Sequence, residues 1–420
     1  MKPKLLTTLQ GYGRQTLVAD CLAGFTVALV ALPLSLAIAI ASGAPPATGL
    51  VTAIVGGFLI SALGGSRVQI GGPTGAFIVV VYGIIAQHGL DGLILATLMA
   101  GVLLVAAGWA RLGALVRHVP EAVINGFTIG IAIVIATSQL KDLLGLRIAQ
   151  VPADFLAKLS ALWDARATAN PAAIALALLS MLAILWARRA WPRGPGLIFV
   201  LAAASAAVAL LDLPVDTIAS RFGALPDTLP VPRLPDLTPA RLLELLPSAL
   251  VIAFLAGVES LLSAMVADRM IGSAHRPNAE LAAQGFANIG SALFGGLPAT
   301  GAIARTATNV KAGARTPVAG IVHAGVILLV MLLASPLAGG LALPALAALL
   351  MLTAWNMSEP HRWRAYMRTP ASDRFLLLLT LVLTVFTDLT IAIATGVAVG
   401  LAIRLRRRNV PEADWHTPAH

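Results

Sequence analysis

Charge is what this 420-residue chain has little of: Asp, Glu, Lys and Arg make up 11%, against about 25% in an ordinary soluble domain. That shortage argues against a soluble globular enzyme. Cys21 is the single cysteine, which excludes an intrachain disulfide and any cysteine-cluster metal site. No HExxH, GxSxG or P-loop pattern occurs, so neither an intramembrane hydrolase nor an ATP-driven pump has visible chemistry. The seven histidines, His323 among them, are scattered without metal-ligand spacing. What the chain has in quantity is apolar sequence, 58% of residues with a mean hydropathy of +0.88. Spread over the whole length, it is enough for a dozen or more spans of about 20 residues.

Lys and Arg total 29 against 19 acids, a net charge of +10. In a soluble protein this would point to nucleic acid; in a membrane chain basic loops set orientation, and no nucleic-acid partner is expected. Apolar length and breaker residues give 14 segments. Seven lie at about 20–41, 47–64, 74–87, 92–109, 121–140, 171–189 and 195–211. After a polar, proline-rich stretch, seven more lie at about 246–267, 281–294, 301–311, 317–334, 341–356, 373–387 and 389–405. With the N-terminus inside, most basic residues fall on inner segments, which supports the count and puts both termini in the cytoplasm. The first apolar run is too long for a cleavable signal and reads as a retained span. The chain thus divides into a cytoplasmic tail (1–18), a first seven-span repeat (19–211), an extracytoplasmic linker (212–244), a second seven-span repeat (245–406) and a cytoplasmic tail (407–420).

An internal repeat supports this division. Gly71-Gly72 before the third span recurs as Gly295-Gly296 before the tenth, and Pro120 at the fifth recurs as Pro344 at the twelfth, at the same offset. Seven is odd, so the halves enter the membrane from opposite sides, as in inverted-repeat secondary transporters. The third and tenth segments are short: about 14 and 11 residues make roughly 20 and 16 Å of helix, against a hydrocarbon core near 30 Å. Each follows a breaker-rich stretch, which predicts extended chain to the midplane followed by a half-helix. The two helix N-termini then face each other, and their free N–H groups form an anion site. The expected fold is all-α integral membrane, 7+7 inverted repeats, with two half-helices preceded by short extended strands.

Four ordered stretches carry a family resemblance: Ala31 to Pro46, Gly71-Gly-Pro-Thr-Gly-Ala-Phe77, Glu259 to Asp268, and Gly295 to Arg305. Together they resemble the SulP anion permeases, a family of sulfate, bicarbonate and dicarboxylate carriers similar to the animal multifunctional anion exchangers. The resemblance implies a core domain (spans 1 to 4 and 8 to 11), a gate domain (spans 5 to 7 and 12 to 14), a homodimer, and alternating access in a bacterial-type inner membrane. SulP proteins usually carry a STAS domain after the last span, whereas 12 residues follow Arg408 here.

Carried over by position, the substrate pocket would use Leu34, Ser35 and Ile38 on the first span. It would add Thr74, Gly75 and Ala76 at the third, and Ala302, Ile303, Ala304 and Arg305 at the tenth. Relatives often have glutamine and phenylalanine where Leu34 and Ile38 stand, and serine where Ala304 stands. Glu259 and Arg305 are the charges expected deep in the membrane, where each costs about 2.5–3.5 kcal/mol and needs a cavity or partner. They form either a structural ion pair or a site in which Arg305 holds the anion and Glu259 couples a proton. At an assumed 6 Å and an effective dielectric near 20, ionised Glu259 would repel a monoanion by about 3 kcal/mol. Ser263, one turn on from Glu259, could instead help it hold sodium. No other cofactor or metal is expected. Anion exchange, a nucleobase-cation symporter of the same fold, and a non-transporting scaffold or voltage-responsive motor are the alternatives.

Overall fold

The computed structural model describes residues 2–113, 120–148, 151–152, 154–191, 196–387 and 389–406; the expected C-terminal tail, 407–420, lies outside the described residues. Helices dominate. Besides the shorter helices Lys4–Thr8, Phe155–Asp164, Ile218–Phe222 and Trp363–Tyr366, they are in chain order α1 (Arg14–Ala41), α2 (Pro46–Leu63), α3 (Ile78–Trp109), α4 (Glu121–Leu144), α5 (Pro171–Ala190), α6 (Gly196–Leu210), α7 (Pro239–Ile271), α8 (Pro277–Leu293), α9 (Ile303–Lys311), α10 (Val318–Gly339), α11 (Leu343–Met357), α12 (Ala371–Phe386) and α13 (Leu389–Arg406). Among the described residues, seven of these helices are long and apolar enough to cross a membrane. Two two-residue strands, β1 (Gly71–Gly72) and β2 (Thr300–Gly301), complete the framework.

The boundaries follow local chemistry. Proline opens α5, α7, α8 and α11 within the first turn, where its missing N–H costs nothing. α4 and α7 end on Gly145 and Gly272, both left-handed. α3 merges two expected segments across Gly89, whose φ of 72° breaks the helix between them. The expected linker, 212–244, loses its end to α7, because Pro239-Ala-Arg-Leu-Leu-Glu-Leu-Leu behind Thr238 starts a helix well before the apolar run begins.

Packing separates the helices into two groups. α3 lies along α8 and α7, α1 along α10, and α2 against α8 and α10. In the second group, α4 packs on α11 and α12, α5 on α11 and α6, and α12 on α13. The small-residue pairs in this second group serve close approach: Gly126 and Gly130 lie against Leu377 and Thr384, and Gly396 and Gly400 against Thr380 and Pro120.

Candidate functional site

The site begins where the chain gives up helical hydrogen bonding. β1 and β2 pair antiparallel, Gly71 with Gly301 and Gly72 with Thr300. The strand partner of Gly71–Gly72 is Thr300–Gly301, five residues past the Gly295-Gly296 pair that repeats Gly71-Gly72 in the sequence. Gly295 and Gly296 form the turn that leaves α8, with Gly295 at φ 73°. Because the strands are antiparallel, the helices that follow them depart in opposite directions from one shared bridge.

Irregular backbone at this depth needs internal partners, and buried side chains supply them. Asn288 donates to Ala299 O at 2.8 Å and accepts from Ala299 N at 3.0 Å. Thr52 Oγ1 accepts from Leu297 N at 2.6 Å, and Ser291 Oγ donates to Leu297 O at 2.6 Å. Glu280, fully buried, accepts from Gly65 N, Ser66 N and Gln284 Nε2 at 2.7–3.1 Å. Gln69 Nε2 donates to Ser260 O at 3.1 Å and occupies the space where a Cβ on residue 301 would sit, so any larger residue there would displace that amide. Of these residues, none was singled out from the sequence. Thr52, Glu280 and Gln69 find partners remote in the chain, Asn288 and Ser291 find theirs across the turn after α8, and a polar residue between apolar neighbours is the only local signal.

Around this bridge the expected site residues converge in part. Arg305 is buried at 2% exposure; its Nη2 donates to Ser35 Oγ at 3.3 Å, while Nε and Nη1 have no partner. Nη1 lies against Gly72, whose φ of 151° and lack of a Cβ permit the contact. Thr74 Oγ1 donates to Glu259 Oε2 at 2.9 Å. Among the described residues no carboxylate lies within 4.0 Å of the Arg305 guanidinium, so Glu259 and Arg305 are neighbours rather than an ion pair.

The backbone donors divide unequally. α9 has no side-chain cap, and Ile303, Ala304 and Arg305 open it with N–H groups that have no intrahelical acceptor. Ala302 N–H is already given to Ile70 O at 2.8 Å, so of the three expected backbone donors this one is spent. At the other N-terminus, Thr74 caps a short 3-10 turn, Gly75–Phe77, that leads into α3, again without a side-chain cap. Gly75 is buried, with Met357 Sδ 3.0 Å from where its Cβ would be; Ala76 is half-buried. Leu34 and Ile38 belong to the apolar cluster and offer no polar contact. Ser263 is not turned to Glu259: its hydroxyl shares a 3.1 Å hydrogen bond with Thr306, which also accepts from Ile70 N. Asn309 is similarly occupied, donating to Val68 O at 2.8 Å.

A cavity of about 150 Å³ opens beside this point, between α4 and α11 on one side and α7 and α9 on the other. Ile303, Glu121, Arg269, Glu359 and Arg362 are among the residues that line it. Arg362 bridges Glu121 at 2.8 Å and Glu359 at 3.1 Å. Burial opposes its charge, but Glu121, Tyr366 and Glu359 outweigh that and hold the guanidinium above the usual arginine value.

Comparison with known proteins agrees with this architecture. The model of the sulfate permease family matches residues 17–380. The chain is 45% identical to a putative sulfate transporter, YvdB, of Bacillus subtilis over 400 residues, covering 95% of this chain and 75% of that one. It is 30% identical to the bicarbonate transporter BicA of Picosynechococcus, covering 92% and 70%. Among solved structures, the transmembrane domain of a cyanobacterial BicA superposes with a TM-score of 0.81 at 30% identity, covering 93% of this chain and 98% of that one. Murine Slc26a9 in its inward-facing state superposes at 0.87 and 18% identity, covering 97% and 72%, a likeness of fold. An apolar helical chain with unwound, glycine-lined crossings and a family match over most of its length leads to one assignment: this chain belongs to the sulfate permease family.

Proposed function

We propose that the chain is a secondary active transporter of small anions, of the sulfate, bicarbonate, dicarboxylate or chloride class, working by alternating access with a proton coupled through Glu259. One observation carries the reading: Arg305 is buried, keeps Nε and Nη1 unbonded, and stands in the first turn of an uncapped helix. Guanidinium and helix N-terminus favour the same sign of charge, so their unused donors suit an anion. The N–H groups of Gly75 and Ala76 would complete the site from the other side. Ionised Glu259 nearby repels that anion and its protonated form does not, so proton and anion enter together. Sodium held by Glu259 and Ser263 is disfavoured by the Ser263–Thr306 bond.

In the same reading α3 counts twice at Gly89 and the remaining helices once, which makes 14 spans in two inverted sets of seven; the antiparallel β1–β2 pair supports the inversion. Both termini are then cytoplasmic, in a bacterial-type inner membrane, and the cavity beside Arg362 is the inward vestibule. α1–α3 and α7–α10 form the moving core, the other helices the gate, with a homodimer as the assembly.

Reconstituted vesicles test this with sulfate, bicarbonate, chloride, fumarate and succinate in competition. Arg305→Ala should weaken binding of every transported anion at least 100-fold, and unchanged affinity would make Arg305 structural. Glu259→Gln should keep anion counterflow but lose its drive by a pH gradient. A drive by sodium instead would overturn proton coupling.

A further inference from the structure

Gly75 stands between two side chains that face opposite ways along α4. Met357, which lines the cavity, has its Sδ 3.0 Å from where a Gly75 Cβ would be, and Ile135 Cδ1 lies 3.7 Å from the same point. The cavity takes in α4 between Glu121 and Ile129, so Ile135 is already past it. Ser138 follows one turn later on the same face. What Ser138 meets is a buried lysine.

Lys158 belongs to the short helix Phe155–Asp164, which packs on α4 and α12. It is 2% exposed. Its Nζ donates to Ser138 Oγ at 3.0 Å and stands 5.1 Å from the centre of the Tyr82 ring on α3. Tyr82 is itself fixed: its hydroxyl donates to Val151 O, and its ring lies against Gly43 at the α1–α2 turn. Counted along the chain, Tyr82 is six residues past Ala76, roughly 9 Å of helix from the proposed backbone donors. Lys158 therefore spans the seam between α3, of the group that holds the site, and α4, of the other group, on the side away from the cavity.

A cation in that seam needs a reason. An ammonium has three donors, and among the described residues Ser138 accepts the one hydrogen bond it makes, with no carboxylate within 4.0 Å. Asp154, the acid that acts on it, is engaged by Ala157 N at 2.9 Å. Burial without a paired carboxylate costs stability, and an apolar side chain of the same length would close the seam at lower cost. The Tyr82 ring returns part of that cost and leaves donors unused.

We propose that Lys158 contacts the transported anion at the entry opposite the cavity. When α3 and α4 part there, its ammonium leaves Ser138 and Tyr82 for the arriving anion and passes it to the N–H groups of Gly75 and Ala76. When they close, the same side chain fills the seam. This rests on the anion-site reading above and gives that site its second entry.

The test compares Lys158→Met, Lys158→Arg and the wild-type protein in reconstituted vesicles, with sulfate, bicarbonate and chloride as probes. At roughly 9 Å and an effective dielectric near 20, one unit charge changes the affinity for a monoanion about 20-fold. Lys158→Met should therefore raise KM for the anion carried at least tenfold, with kcat within twofold and no fall in unfolding temperature. Lys158→Arg, which keeps the charge, should stay near the wild type. A lower kcat or unfolding temperature at unchanged KM would make Lys158 structural and overturn the proposal. If Lys158→Arg lost as much as Lys158→Met, shape rather than charge would be at work, which overturns it too. Wild-type kinetics in Lys158→Met sink the proposal and leave the anion reading standing. If the wild-type protein carries none of the three probes, the anion reading fails and this proposal falls with it.

Discussion

The two helix groups differ in how far their polar contacts reach along the chain. In the group that holds the site, hydrogen bonds join segments distant in sequence: Glu280 to Gly65 and Ser66, Asp20 to Arg315 and Thr316, Thr52 to Leu297, Gln69 to Ser260. In the other group most hydroxyls turn back on their own helix. Thr128, Thr380 and Thr384 each donate to the carbonyl four residues earlier, at 2.7–2.8 Å. Its contacts are instead steric, through Gly126, Gly130, Gly396 and Gly400, and α5 turns Leu178, Leu179, Leu182 and Trp186 outward. Hydrogen bonds are directional, so they fix relative position; smooth apolar contacts tolerate displacement. The difference teaches that the site is carried on a group of helices cross-linked by polar bonds between distant segments, beside a group held by close apolar contacts.

Three substitutions would break or sharpen that contrast. The largest effect is expected at Glu280→Ala, which strands the buried N–H groups of Gly65 and Ser66. Leaving them unsatisfied costs about 4 kcal/mol in all, read as a fall in thermal unfolding temperature together with lost anion binding. Gly130→Ala comes next: its Cβ would stand 2.7 Å from Thr384 Cβ, an overpacking cost of about 2 kcal/mol. There the unfolding temperature should drop while equilibrium anion affinity is kept. If Gly130→Ala weakened binding as much as Glu280→Ala does, the division into two bodies would be refuted. Arg362→Ala should do least, under about 1 kcal/mol, because its pairs with Glu121 and Glu359 are partly exposed. Its unfolding curve should overlay the wild type at 0.15 M salt.

Much of this was legible in the sequence where a length or a charge could be counted. The shortness of the segments after Gly72 and Gly301 announced interrupted crossings, and the rarity of deep charge singled out Glu259 and Arg305. Legibility stopped at pairings. Nothing local says that Gly71 meets Gly301 rather than a residue near Gly295, since register is set by contacts across the whole chain. Helical spacing placed Ser263 beside Glu259, yet its hydroxyl found Thr306 on another helix. Lys158 was one loop charge among many until its neighbours were known.

Gly72 and Gly301 give the molecule a property beyond recognition. The donors beside them are main-chain groups, identical whatever side chain positions 75, 76, 303 and 304 carry. In the proposed site, positions 76, 303 and 304 can vary in sequence, altering pocket shape and hence which anion is preferred, while attraction to negative charge persists. The two glycines have no such latitude, because one admits a guanidinium and the other an amide into the volume of a missing methyl. A new cargo is thereby reachable by small steps, with the capacity to hold an anion never surrendered on the way.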